Sequence, residues 1–247
     1  MNDCKKIKLL HLFPKLFSLY GEYGNIRIIE KELISHGYEV EVSYFEGYKD
    51  ESPDLSDIDF IYVGSGCEKD IATAVSRLFV IKESLLEYIT SGRVMLSSGN
   101  SMSLFGKSVT VGKGDPIDAL GIFDYSSTLF TNKRFLGDVL TDENNIFGAP
   151  LIGFINNSVT ITEAPDSLLR LRLGDTLGND KQSSGDGFMI NSFIASQLIG
   201  PICVKNPHVL SKICSMITKE PFETDPASNA FLAYERGLKA LLERCGK

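Results

Sequence analysis

Two rhythms of apolar residues divide the first hundred positions. Ile7–Phe13, Asp59–Val63 and Val94–Leu96 are short, nearly continuous apolar runs, the pattern of strands buried on both faces of a parallel sheet. Between them the spacing changes to that of helices. Ile26–Ser35 reads as one helix, opened by the glycine-rich loop from Tyr20 to Asn25 and closed by His36-Gly37. A longer helix is predicted from about Asp70 to Thr90, with Ile71, Ala74, Val75, Leu78, Phe79, Leu85, Leu86 and Ile89 largely on one face. Pro14 ends the first strand, Glu39–Tyr44 supplies the second, and Asp50–Asp57 is an acidic, Ser/Pro-containing exposed loop. The order predicts a βαβ start and an α/β sheet.

Beyond Gly106 the texture shifts to short β-like pieces punctuated by Gly, Asn, Asp and Pro. These are Lys107–Val111, Gly121–Asp124, Arg134–Leu140, Leu151–Phe154, Ser158–Thr162, Leu168–Leu173, Gly187–Ile190 and Phe193–Gln197. Some extend the sheet and others form hairpins beside it. Asn206–Thr218 reads as a helix opened by Pro207, and residues 226–244 as an amphipathic terminal helix carrying Phe231, Leu232, Leu238, Leu241 and Leu242. No repeat, low-complexity tract or linker interrupts the chain, so residues 1–247 are expected to form one domain.

Composition narrows the picture by exclusion. The chain has 247 residues, 43% hydrophobic and 23% charged, and no apolar run approaches the roughly 20 residues of a membrane span. The basic then apolar N-terminus reads as a strand, not a signal peptide, and a cytoplasmic location is expected. Five scattered cysteines (Cys4, Cys67, Cys203, Cys214, Cys245), with no C-x-x-C pair and no histidine at zinc spacing, read as free thiols, with no metal and no cofactor implied. A net charge of −7, from 25 basic and 32 acidic residues without a long basic cluster, gives no footprint for nucleic acid.

Two turns carry the candidate chemistry. Gly64-Ser65-Gly66-Cys67-Glu68 follows a strand directly and offers backbone N–H donors to an oxyanion, although it lacks the third glycine of a dinucleotide fingerprint and the Lys-Ser/Thr of a phosphate loop. Val94–Gly106 reads as strand, sharp turn (Ser97 to Asn100) and short helix, the form of a nucleophile elbow. Its tip is Gly99, which has no side chain. His11, His36 and His208 fall in strand, helix-end and helix contexts, where a structural role is the expectation.

With these pieces in place, the chain resembles the class I glutamine amidotransferases of the cobyric acid synthase type, most closely the glutaminase subunits of lipid II isoglutaminyl synthases. The resemblance rests on the Tyr20–Asn25 loop, Gly64-Ser65-Gly66, Leu104-Phe105-Gly106 and Leu120 to Asp124. It continues through Gly153-Phe154-x-Asn156, Gly178-Asn179 with Gly185-Asp186-Gly187, and Leu198-x-Gly200-Pro201 followed by Lys205-Asn206-Pro207. It implies a three-layer, flavodoxin-like α/β fold with a mostly parallel sheet, added β-hairpins and a C-terminal helix. It also implies glutamine as ligand and a Mur-ligase-like protein as partner.

The departures fall on the reacting groups. Counting back from Leu104, the family's nucleophilic cysteine, in a C-x-G-x-Q pattern, falls on Gly99, its glycine on Ser101 and its glutamine on Ser103. The family's histidine base, in Tyr-Leu-His-Gly-Pro, falls on Ile199. Thiolate attack and proton donation to departing ammonia both lose their groups, and only the oxyanion donors remain. The expectation is a catalytically inactive partner or regulatory subunit. Two alternatives stay open: an active enzyme with Ser98 or Cys67 as substitute nucleophile, and an amino-acid binding module using Gly64, Ser65, Gly66, Asn100 and Arg134, the last placed where the resembling subunits have a basic residue for the glutamine carboxylate. Restoring Gly99→Cys together with Ile199→His is expected to give weak ammonia release.

Overall fold

A computed structural model describes residues 5–47, 52–174, 179 and 184–246. Cys4, Gly178 of the Gly178-Asn179 stretch and the first residues of the Asp50–Asp57 loop lie outside them.

The N-terminal half alternates as its pattern predicts: β1 (Lys6–Leu12), α1 (Tyr23–Ser35), β2 (Glu39–Phe45), β3 (Phe60–Val63), α2 (Ile71–Leu78), α3 (Lys82–Thr90) and β4 (Val94–Ser98). The second half supplies β5 (Ser108–Val111), β6 (Ile117–Asp118), β7 (Ser126–Leu129), β8 (Phe135–Thr141), β9 (Ile152–Asn157), β10 (Val159–Thr162), β11 (Leu169–Leu173), β12 (Gly185–Asp186), β13 (Phe188–Ile190) and β14 (Phe193–Ser196). Three helices end the chain: α4 (Ile202–Lys205), α5 (Pro207–Thr218) and α6 (Asn229–Cys245).

The main sheet runs β13-β14-β4-β3-β1-β2, parallel throughout except for the edge strand β13, which forms a hairpin with β14. The remaining strands form two four-stranded sheets, β10-β7-β5-β6 and β12-β11-β8-β9. Alternation along the central strands sends side chains to two cores. Leu10, Leu12, Ile61, Val63 and Met95 pack with α2 and α3, whereas Leu9, Phe60, Tyr62, Val94 and Leu96 pack with α1 and α5. Each core is apolar enough to hold one helical layer on its face of the sheet. Among the described residues no helix is long and apolar enough to cross a membrane.

Three readings of the sequence are corrected. The helix placed at Asp70–Thr90 is two helices, α2 and α3, joined by a 3-10 turn at Phe79–Ile81. The apolar spacing continues across the break, and the consecutive β-branched Val80 and Ile81, poor helix formers, lie within it. Gly121–Asp124 is not a strand: its N–H groups return to Phe105 and Gly106, with Gly121 N to Gly106 O at 2.7 Å and Ile122 N to Phe105 O at 3.0 Å. The turn after β4 is shorter than predicted, since the strand runs through Ser98 and a 3-10 helix, Gly99–Leu104, begins at the next residue.

One buried carboxyl fixes the exit from β14. Asp186 is fully buried and accepts from Ser196 Oγ at 2.7 Å and from the backbone N–H of Gln197, which orients the chain toward Ile199. Burial raises its pKa to about 6, with hydrogen bonds from Ser196 and Gln197 opposing. Because the folded-state pKa lies above the ordinary value of 3.8, its contribution is fully present below about pH 3.8 and is lost as pH rises through about 6. The difference amounts to about 3 kcal/mol. Asp186→Asn is therefore expected to flatten the decline in stability of the wild type between pH 4 and 7, measured as urea midpoints of the two proteins across that range.

Candidate functional site

The C-terminal ends of β3, β4 and β14 meet at one crevice, the place where open α/β sheets bind ligands. Gly99 leaves β4 with φ +66°, a left-handed conformation that glycine adopts without strain. A Cβ built there would lie 2.5 Å from both Cβ and Oγ of Ser65 and 3.0 Å from Cγ2 of Ile199. Gly99, the Gly64–Gly66 loop and Ile199 are thus neighbours, brought together from segments 34 and 100 residues apart. The space that a side chain at the elbow would need is already held by Ser65.

Gly64 and Gly66 are glycines because the N-terminal loop packs against them. A Cβ on Gly64 would come within 2.6 Å of the Phe17 carbonyl oxygen, and one on Gly66 within 2.8 Å of the Phe17 ring. The loop so fixed is held from the other side by Asn100. Its Oδ1 accepts from Gly66 N–H at 2.9 Å and from Ser65 Oγ at 3.2 Å, and its Nδ2 donates to Gly66 O at 2.7 Å.

A cavity of about 230 Å³ opens in front of these groups, lined by Tyr20, Ser65, Gly66, Cys67, Glu68, Asn100 and Arg134, with Asn156 to Ser158 along one wall. Arg134 is half-exposed and crosses the mouth, pairing with Glu68 and donating to Asn156 Oδ1 at 2.8 Å. Burial works to raise the Glu68 pKa, but hydrogen bonds from its own N–H and from Ser158, with the Arg134 charge, hold the carboxyl below its ordinary value. Asn156 also donates to the Tyr20 hydroxyl at 2.9 Å, and burial raises the Tyr20 phenol. Arg134 is therefore engaged by groups of this chain.

Ser98 does not face the crevice. Alternation along β4 places it on the face of Val94 and Leu96, where it is 1% exposed and donates to the carboxyl of Glu22. Glu22 also accepts from Tyr62 OH at 2.8 Å and from Gly200 N–H at 2.7 Å, and Asn25 donates to the same Tyr62 oxygen at 2.9 Å. Burial raises the Glu22 pKa, with Ser98, Tyr62 and Gly200 opposing. Ser98 is a member of this buried network, with its hydroxyl also 3.0 Å from that of Tyr62. Cys67 is half-buried and lines the cavity, but no histidine lies among the lining residues.

The histidines sit elsewhere. His11 is buried in β1 with its ring 5.1 Å from that of Tyr62, and burial lowers its pKa to about 4. His208 lies in α5, 5.0 Å from the Tyr234 ring, also lowered to about 4 by burial, and His36 caps α1. Among the described residues no three His, Cys, Asp or Glu side chains gather as a metal site would require.

Glu22, Tyr62, Asn156 and Ser158 were not singled out by sequence reasoning. Glu22 and Asn156 fall within stretches that carried the resemblance, so a signal was present for those two. Tyr62 and Ser158 sit in ordinary strand and turn patterns that point to no chemistry.

No protein-family model matches the chain. Two curated relatives are similar over nearly the whole length, both named as subunit GatD of lipid II isoglutaminyl synthase (glutamine-hydrolyzing). The Streptococcus pneumoniae protein (strain R6) is 26% identical over 235 residues, covering 93% of this chain and 88% of the relative. The Staphylococcus aureus protein (strain N315) is 26% identical over 226 residues, covering 89% and 90%. Among solved structures, the glutaminase domain of Trypanosoma brucei CTPS superposes with a TM-score of 0.53 at 9% identity, covering 91% of this chain and 98% of that one. A glutamine amidotransferase from Thermotoga maritima gives 0.50 at 12% identity, covering 97% of each. The chain is thus similar to these GatD subunits at 26% identity and has the α/β fold of glutamine amidotransferases of known structure.

Proposed function

We propose that this chain is a non-catalytic, glutamine amidotransferase-like subunit that has kept the scaffold and acts, in the cytoplasm, beside a Mur-ligase-like partner. The observation that carries the reading is the occupied space at Gly99. At the position that resembles the family's nucleophile there is no side chain, Ser65 fills the volume where one would start, and Ile199 stands where the resemblance places the base. Both the relatives' names and the length of the match support a role as one subunit of a larger amidating enzyme.

Oxyanion stabilisation fares no better than nucleophile and base. A tetrahedral intermediate needs donors aimed at an open position, and the Gly66 N–H is satisfied by Asn100. Glutamine's carboxylate meets an Arg134 already paired with Glu68 and Asn156. The arrangement can hold polar groups in place and lacks the means to break an amide bond.

The purified chain is accordingly expected to release no ammonia from glutamine above the uncatalysed rate, alone or after co-expression and co-purification with a Mur-ligase-like protein. The half-buried Cys67 gives the assay its counter-outcome. Ammonia release that iodoacetamide abolishes and Cys67→Ala lacks would overturn the proposal and move the nucleophile to the glycine loop.

A further inference from the structure

The main sheet ends in an open edge at β2, at the end of the strand order away from β3, β4 and β14, which form the crevice. Its seven residues pair with β1 in unbroken parallel register, and among the described residues no strand lies on the other side. Glu39 N–H donates to Lys5 O at 3.1 Å and Phe45 O accepts from Phe13 N–H at 2.7 Å, so the backbones of Glu39, Glu41, Ser43 and Phe45 face β1. Alternation turns the N–H and C=O groups of Val40, Val42 and Tyr44 outward.

The other long edge is covered by the chain itself. The Asn206 side chain holds both the N–H and the carbonyl of Ile152 in β9, and the Phe154 carbonyl accepts from Ile199 N–H at 2.9 Å. β2 carries no proline, bulge or lysine, devices by which edge strands avoid pairing. Its two charges are Glu39 and Glu41, the second paired with Lys6 of β1 at 2.8 Å.

The order of residue types makes this strand complementary to itself. In an antiparallel pairing about a two-fold axis at Val42, Val42 meets Val42, Val40 meets Tyr44, Glu41 meets Ser43 and Glu39 meets Phe45. The whole strand is then matched and no glutamate faces a glutamate. Tyr44, 57% exposed in the single chain, gains a β-branched neighbour on its own face, a favourable cross-strand pair. Other registers fare worse. An axis at Glu41 sets two like charges opposite each other, one at Val40 sets Glu39 against Glu41, and one at Ser43 leaves Glu39 and Val40 opposite residues beyond the strand.

We infer that β2 is a self-association edge, through which a second copy of this chain joins its main sheet to the first, antiparallel and centred on Val42. Strand pairing alone buries less than a standard interface, so the dimer forms reversibly with concentration.

Sedimentation velocity of the full chain, loaded from micromolar to hundreds of micromolar, is expected to show a mass rising toward twice that of the chain. Val42→Pro removes an N–H that faces solvent in the single chain, a position where an edge strand tolerates proline, and deletes a donor on each side of the axis in the pair. It is expected to keep its far-UV circular dichroism and to raise the dissociation constant about tenfold or more. Charge at position 43 reads the register and serves equally if the proline variant does not fold. Ser43→Lys, opposite Glu41 of the second copy, is expected to tighten the dimer and Ser43→Glu to loosen it, each about twofold or more. A chain that stays monomeric at the highest concentration overturns the inference. So does a dimer that a folded Val42→Pro leaves equally tight, or one that lysine and glutamate at position 43 shift alike.

Discussion

Gly99→Cys is expected to destabilise the protein by about 2–6 kcal/mol, from roughly 1–3 kcal/mol of backbone strain at φ +66° and a similar amount of overpacking against Ser65. Adding Ser65→Gly should recover most of the overpacking part, seen as a rise in the urea midpoint of the double variant over Gly99→Cys. The same geometry revises what rearming requires. Gly99→Cys with Ile199→His supplies a thiol and a base, yet leaves Ser65 in the thiol's space and Asn100 on the oxyanion donor. We expect iodoacetamide-sensitive ammonia release from glutamine only when Ser65→Gly and Asn100→Ala accompany that pair. Because the groups act as a unit, the gain should be far from additive. Equal activity in the Gly99→Cys/Ile199→His protein would show that Ser65 and Asn100 obstruct nothing.

Glu22→Ala should be the most damaging substitution outside the crevice, at about 3–5 kcal/mol. It strips the carboxyl acceptor from the hydroxyls of Ser98 and Tyr62 and from the Gly200 N–H; the two hydroxyls, 3.0 Å apart, can satisfy only one of their protons between them, and an unmatched buried donor keeps its desolvation penalty. Glu22→Gln is expected to cost less than about 1.5 kcal/mol, since an amide oxygen still accepts from Gly200 and hydroxyls can turn to accept from the amide nitrogen. Thermal or urea unfolding of the two variants distinguishes a hydrogen-bonding role from a steric one: equal losses would mean that shape alone is at stake.

Much of the arrangement is legible in the sequence because turn chemistry and strand patterning are local. The apolar runs at residues 7–13, 59–63 and 94–96 became neighbouring parallel strands, and the glycines that follow the second and third, Gly64 and Gly99, came to one edge as a parallel sheet dictates. The orientation of Ser98 was hidden, because Ser97 to Asn100 read as a turn; only with β4 running through Ser98 does period-two alternation group it with Val94 and Leu96, away from the crevice. Other features are set by contacts across the fold. That Ser65 fills the space beside Gly99, that Arg134 is tied to Glu68, and that Asn100 reaches Gly66 each depend on where two loops far apart in sequence come to rest. The break at Phe79–Ile81 was hidden for the opposite reason, because apolar spacing on either side of it stays in phase.

The bond from Gly200 N–H to Glu22 and its companion from Cys203 N–H to Asn25 Oδ1, at 2.9 Å, each span 178 residues of chain. Closing so long a loop costs conformational entropy, which these bonds and the packing around them must offset. The two bonds thus clamp the loop after β1 and the start of α1 to the segment after β14, so that a change which loosens one of these segments loosens the other.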